Sequence, residues 1–443
     1  MSLELILPRA RAAALPQVTG QVVGAMGLTL AVDGVVAAVG DLVEVNPATP
    51  RAMLAEVVAV GRDKLTCMPL GDLSGVHAGA PVRNTGRPLQ VPVGPGLLGR
   101  VLDGLGRPVD GGRPLSAGVS WVDLSSETPH ALSRTRVDQP LTFGVRALDT
   151  LVPCGKGQRL GIFAGSGVGK STLLSQITRG TSADVRVIGL IGERGREVRE
   201  FIEENLGEEG LARTVVVVAT SDEPPLVRLK AAFVATRIAE AFRDQGLDVL
   251  LLMDSITRTA MAQREVGLSA GEPPATRGYP PSVFAMMPKL LEKAGTGAVG
   301  SITGLYTVLV EGDDHNEPIA DTARSILDGH IVLTRKLATV GHFPAIDVLE
   351  SISRVAGAVV PPERMADARE CRRLMGALRD VKELIEIGAY QAGSDPMVDR
   401  ARELAPAIDA FLQQPVGEGT LPEEAWAWLH RIVTHGVPGG MAA

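Results

Sequence analysis

The stretch RLGIFAGSGVGKST, residues 159–172, decides the fold. Its first half is a nearly unbroken apolar run, the pattern of a strand covered on both faces. Its second half sets Gly165, Gly167 and Gly169 ahead of Lys170, Ser171 and Thr172, and helical texture follows from Gly169 to Arg179. A strand, a glycine-rich turn and a helix in that order wrap a phosphate. The glycines let the backbone close around the anion, and the amides point inward at the positive end of the helix. Ala164, Gly165, Ser166, Gly167, Val168, Gly169, Lys170, Ser171 and Thr172 are therefore read as a nucleotide-binding loop. Lys170 supplies a point charge to the terminal phosphates, and the Ser171 hydroxyl is placed to ligate Mg2+. Ala164 stands where glycine is usual, but that position needs only a small side chain.

Outward from this loop, VRVIGLIGE (185–193), TVVVVAT (214–220) and DVLLLMDS (248–255) are further apolar runs. Helical segments are expected between them at 196–206 and 224–245, and SITGLYTVLV (301–310) and HIVLTR (330–335) read as later strands. Alternating strand and helix implies a parallel, doubly wound sheet, whose ligands bind beyond the carboxyl ends of the strands. Two acids fall at such ends. Asp254 is expected to reach the metal ion through water. Glu193, in IGERGREV, is placed to polarise an attacking water as a general base, with Arg194 and Arg196 able to contact phosphate. An isolated GERGRE is otherwise a solvated helix start, its glutamate favoured by the helix dipole.

The flanking regions differ in texture. Short apolar runs cut by Gly, Asp and Asn between residues 19 and 84 predict a small β-barrel. Its core must be aliphatic, because Trp121 is the first aromatic residue of the chain. Residues 87–151, rich in Gly, Pro and Asp, read as a connecting region of turns and a few strands. Past residue 360 the sequence turns charged and helical. The 443 residues carry 45% hydrophobic and 21% charged side chains, with a net charge of −7. This suits a soluble chain of two or three domains and provides no global pull toward nucleic acid or an anionic membrane. Cys67, Cys154 and Cys371 lack metal-ligand spacing and are read as buried, reduced thiols of a cytosolic protein. The first residues, interrupted by Pro8, Arg9 and Arg11, do not form a signal peptide, and no apolar run reaches the length of a membrane span.

Several longer stretches carry a resemblance. Besides the phosphate loop, they are IGERGREVREFIEENLG (191–207), LLLMDSITRTAMAQREV (250–266), GEPPATRGYPPSVFAMMPKLLEKAG (271–295), EGDDHNEPIADTARSILDGHIVL (311–333) and GHFPAIDVLESISRV (341–355). GLLGRVLDGLGRPVDG (96–111) and GAYQAGSDPMVD (388–399) add to them. Together they resemble the type III secretion ATPases, flagellar export enzymes among them, which are similar in turn to the catalytic subunits of rotary ATP synthases. The resemblance implies an α/β, RecA-like parallel-sheet ATPase core with an N-terminal small β-barrel and a C-terminal helical domain. The expected divisions are an extension over 1–16, the barrel over 17–85, the core with its connecting segment over 86–358, and the helical domain over 359–443.

The resemblance also assigns roles. Lys170, Glu193, Arg194 and Arg354 become catalytic candidates, with Glu193 as the catalytic glutamate and Arg354, in SISR, as an arginine finger reaching the neighbouring subunit. Phe343, in GHFPAID, matches the aromatic that stacks on adenine, and Phe411, in FLQQP, is expected to close the other side of that pocket. A second aromatic usual just after this motif is absent, Val416 standing near there. The loops 267–282 and 311–318 are expected to face a central channel or stalk partner. The implied enzyme is a Mg2+-dependent homohexamer. Its implied partners are export substrates and chaperones, a stator-like regulator, a central stalk protein and an export gate. It would work in the cytoplasm, peripherally at the inner membrane. The short N-terminal extension differs from the longer family segment that contacts the regulator.

Other readings separate on sequence features. GEPPATRGYPPSVF and SILDGHIVL favour an export enzyme over a rotary synthase subunit, and TRGYPPSVF and AYQAGSDPMVD favour the flagellar over the virulence-type (injectisome) system. A ring-shaped RNA translocase would stack bases on barrel aromatics, which this barrel lacks, so nucleic acid is not an expected partner. A nucleotide-binding scaffold without catalysis would be insensitive to Glu193→Gln.

Overall fold

In a computed structural model the described residues are 19–310 and 317–435, except 48, 50, 51, 113, 116 and 117. The expected extension 1–16 and most of the acidic loop 311–318 lie outside them.

Six strands, from Thr19–Met26 to Pro81–Pro88, close into an antiparallel barrel. Alternate residues point inward, and the interior is filled by Val22, Leu30, Val32, Val43, Val45, Ala55, Val57, Leu65, Cys67 and Val82. The aliphatic core expected from the sequence is therefore present. Closure leaves no unpaired edge in the barrel.

The main sheet has nine strands. Across it lie Ile346–Ser353, Gly329–Leu333, Arg159–Ala164, Ser301–Leu309, Asp248–Asp254, Val185–Ile191, Thr214–Ala219 and Val101–Asp103, with the short Gly295–Thr296 pairing on Ser301–Leu309. The long apolar runs form its centre, and every residue of Val185–Ile191 is buried. Two cores result, one on each face. Leu226, Leu229, Val234, Ile238 and Phe242 of the helix Pro225–Arg243 pack on one face, and Leu173, Leu174 and Ile177 of the helix Lys170–Gly180 on the other.

Both edges of the sheet depart from the sequence reading. Val101–Asp103, inside the connecting region, pairs in parallel with Thr214–Ala219 and extends the main sheet. Ile346–Ser353 pairs antiparallel with Gly329–Leu333, so the sheet is not uniformly parallel. The first is too short to show periodicity, and the second carries Asp347 and Glu350 inside its apolar pattern.

Past residue 360 the chain is helical, chiefly Pro362–Asp380, Pro396–Leu412 and Pro422–His435. Cys371, Leu374, Leu404, Ile408, Phe411, Trp426 and Leu429 join the same apolar cluster as the phosphate-loop helix. Cys67, Cys154 and Cys371 are free and buried.

Candidate active site

The phosphate loop joins the strand Arg159–Ala164 to the helix Lys170–Gly180. Gly167 and Gly169 have φ of 75° and 89°, the left-handed region open to glycine. Gly169 has a second constraint, since a Cβ there would lie 3.1 Å from the Phe343 ring. Ala164 is buried as the last strand residue, and Val168 turns into the core, leaving only its backbone for a ligand. A cavity of about 630 Å3 lies over this loop, lined among others by Gly165, Ser166, Gly167, Ser171 and Thr172.

The phosphate-loop helix and two strand ends bring charged groups together at the edge of that cavity. The Lys170 ammonium donates to Asp254 Oδ1 at 2.5 Å and stands 3.6 Å from Glu193 Oε1. Asp254 ends its strand and also accepts from the Thr307 hydroxyl at 2.6 Å. Its carboxylate is thus held between a cation and a hydroxyl at the switch from strand to helix. Burial raises the Glu193 pKa above the ordinary value, Lys170 opposes that shift, and the Asp254 charge reinforces it. A glutamate tuned upward is better matched to taking a proton near neutrality. Arg194 lines the cavity but is largely exposed, 3.4 Å from Glu197. Ser171 lies in the first helical turn with its side chain open to the cavity.

Sequence reasoning missed Arg258 and Arg335, which also line the cavity. Arg258 follows Asp254 by one helical turn, in a helix capped by Ser255, whose hydroxyl accepts from the Arg258 amide at 3.2 Å. Gly192, at φ 73°, leaves room for it, because a Cβ there would lie 2.9 Å from Arg258 Cβ. Arg258 Nε is buried without a hydrogen-bond partner among the described residues. Arg335 Nη2 donates to the Ser166 carbonyl at 3.3 Å. The available signal was the position of Arg258 just past a strand-end acid. Arg335, just past a strand end of its own, had no such marker.

Phe343 is 41% exposed beside the loop. Phe411 is fully buried at 0% and packs edge-on against Trp428, with 5.5 Å between ring centres. Its ring has no free face, so the expectation that Phe411 closes the base pocket is corrected to a core role. The helical period puts Phe411 on the inward stripe with Leu404 and Ile408, which outweighs the motif that suggested it.

Arg354 is exposed and far from this cavity. Its strand runs antiparallel, with Ser353 level with Gly329 and Ile346 level with Leu333. Leu333 is level with Ala164 at the loop, whereas His330 is level with Gly161. Arg354 therefore stands at the opposite end of the sheet, about 15 Å from its own phosphate loop at roughly 3.3 Å per residue. No hydrogen bond or ion pair of its side chain is present among the described residues.

The fold and site define a phosphate-loop nucleoside triphosphatase with a barrel in front and a helical region behind. Residues 144–353 match the nucleotide-binding domain of the ATP synthase alpha/beta family, residues 22–86 its beta-barrel domain, and residues 360–431 the T3SS EscN ATPase C-terminal domain. The chain is 50% identical to the flagellum-specific ATP synthase of Bacillus subtilis, over 93% of this chain and 94% of that protein. It is 51% identical to a type 3 secretion system ATPase of Xanthomonas euvesicatoria, over 90% of each. Among solved structures, the assembled ATPase EscN of the enteropathogenic E. coli type III secretion system superposes with a TM-score of 0.89 at 47% identity, covering 94% of this chain and all of that one. The chain belongs to the ATP synthase alpha/beta family, in its branch of flagellar and type III secretion ATPases, and it is an ATP hydrolase.

Proposed function

We propose that this ATPase acts as a homomeric ring in which each catalytic site is completed by the next subunit's Arg354, and that its turnover drives protein export through a flagellar type III secretion apparatus. The observation that carries the trans role is the placement of Arg354 at the far end of the sheet from its own phosphate loop. A homohexamer is the expected closure. The solved EscN structures support assembly, one as the assembled ATPase and one in complex with its central stalk EscO.

In this reading the loop amides and Lys170 hold the phosphates, Phe343 stacks on the base, and Glu193 takes the proton of the attacking water. Arg258 and Arg194 balance the phosphate charge, and Arg354 of the adjacent subunit stabilises the transition state. The cofactor is Mg2+, for which the oxygen donors Ser171 and, through water, Asp254 fit a hard cation that keeps several waters. It would supply charge neutralisation on the terminal phosphates. The partners are export substrates with their chaperones, a stator-like regulator, a central stalk protein and the membrane export gate. Among the described residues no helix is long and apolar enough to cross a membrane, and the proposed location is the cytoplasmic side of the inner membrane, held peripherally.

The flagellar relatives support the motility system, and the virulence-type system is the second reading. Deleting the gene and scoring motility against effector secretion separates the two. Loss of effector secretion with motility intact overturns the flagellar assignment.

A further inference from the structure

We propose that Arg146 is a positioning residue for the base end of the nucleotide, acting through the segment Gln413–Thr420. This rests on the reading of Phe343 as the base-stacking residue. Arg146 is only 2% exposed and lies on the approach to the phosphate-loop strand. It does not touch the phosphate cavity. Its amide donates to Gln414 Oε1 at 2.8 Å, its Nε to the Phe411 carbonyl at 2.8 Å, its Nη2 to the Gln413 carbonyl at 2.6 Å and its Nη1 to the Thr420 hydroxyl at 3.1 Å. Nη1 also pairs with Glu418, and the guanidinium lies 4.8 Å from the Trp428 ring centre.

The segment so gripped borders the base side of the site. The Gln414 amide donates to the Phe343 carbonyl at 2.9 Å, and Gln176 of the phosphate-loop helix donates to the carbonyls of Gln414 and Pro415, each at 3.1 Å. Gln414 Nε2 returns to the Gly144 carbonyl at 2.8 Å and the Glu418 carbonyl at 2.6 Å. Apolar packing of Phe411, Trp426 and Leu429 already anchors the helices on either side. Burying a charge to hold them is costly, so the fork is better explained by what it fixes between them. Every nitrogen of the buried Arg146 guanidinium has an acceptor in or beside this segment, and a fork paired in that way rigidifies a loop. Val416, 42% exposed in that loop, is aliphatic, and residues 413–420 contain no aromatic to clamp the base. Base selection then depends on the position of the loop backbone, which Arg146 sets.

The test measures KM and kcat for ATP and UTP with Arg146→Lys, Glu418→Ala and Phe343→Ala, each checked for an unchanged melting profile. Arg146→Lys is expected to raise KM for ATP about tenfold with kcat within about twofold, and to leave KM for UTP nearly unmoved, so discrimination narrows. Glu418→Ala, at a half-exposed site that does not threaten folding, is expected to move the same ratio by about threefold. If Phe343→Ala narrows the ATP-to-UTP ratio but Arg146→Lys and Glu418→Ala do not, the role of Arg146 is overturned while the base slot stands. If Phe343→Ala leaves the ratio unaltered, the base slot itself falls, and the role of Arg146 with it. Should Arg146→Lys fail to fold, Glu418→Ala alone decides.

Discussion

The Lys170 ammonium donates to the Asp254 carboxylate at 2.5 Å, so the phosphate-binding cation and the strand-end acid form one ion pair at the mouth of the sheet. Asp254 is also held by the Thr307 hydroxyl. Replacing it by Asn keeps the shape and removes the charge. Asp254→Asn is expected to lower kcat by about a hundredfold while nucleotide binding in the absence of Mg2+ changes little. Steady-state rates together with titrations with and without the metal check this. Equal losses in both titrations would show that the acid only holds Lys170.

As the proposed general base, Glu193 should make turnover pH-sensitive on its acid side. Burial holds its pKa above the ordinary 4.5, against the pull of Lys170 and with the push of Asp254. The protonated form cannot accept the water's proton, so kcat should rise with pH through a midpoint above 4.5, and Glu193→Gln should abolish both the limb and the activity. The stability sign is the reverse of the usual carboxylate case. The folded state binds this proton more tightly than the unfolded state, so the contribution of Glu193 is most favourable at low pH and is lost as pH rises through the raised folded value. A pH–rate profile and melts of Glu193→Gln against the parent across the same range test both.

Arg354 can be tested by mixing. Lys170→Ala and Arg354→Ala should each be nearly inactive alone, the latter by about a thousandfold. In a mixed ring, random pairing places an intact loop against an intact finger at about a quarter of the interfaces. Activity returning on mixing is the expected result. A mixture as inactive as its components rules out a finger supplied by the neighbour.

Phe343 and Phe411 should behave oppositely. Phe411→Ala opens a cavity against Trp428 and is expected to cost about 3–5 kcal/mol of stability. Phe343→Ala removes a side chain already 41% exposed, so the melting profile should barely move while KM for ATP rises. Thermal melts and steady-state kinetics on the two variants decide it.

Most of the central sheet was legible because strands buried on both faces write themselves as long apolar runs, as at Val185–Ile191 and Asp248–Asp254. The phosphate loop was legible for a different reason. Wrapping an anion demands particular residues at fixed spacing, so function is spelled locally. The edges were not legible: Val101–Asp103 has three residues, too few for a period, and Ile346–Ser353 mixes acids into its pattern because one side faces water. Arg146 escaped for a third reason. Its contacts are with residues more than 260 positions away, and nothing adjacent in sequence marks an arginine that the fold will bury. Phe411 was misread because an aromatic near a binding motif looks the same in sequence whether it faces the ligand or the core.

One consequence of the antiparallel edge strand reaches beyond a single site. Ile346–Ser353 begins three residues after Phe343, at its own phosphate loop, and ends next to Arg354 at the far side of the sheet. In the proposed ring, with Phe343 at its own base and Arg354 at the neighbour's phosphate, those two ends would serve different nucleotides. Eight residues of paired backbone would then link successive sites, so that a shift imposed where one base docks would be felt where the next phosphate is cut.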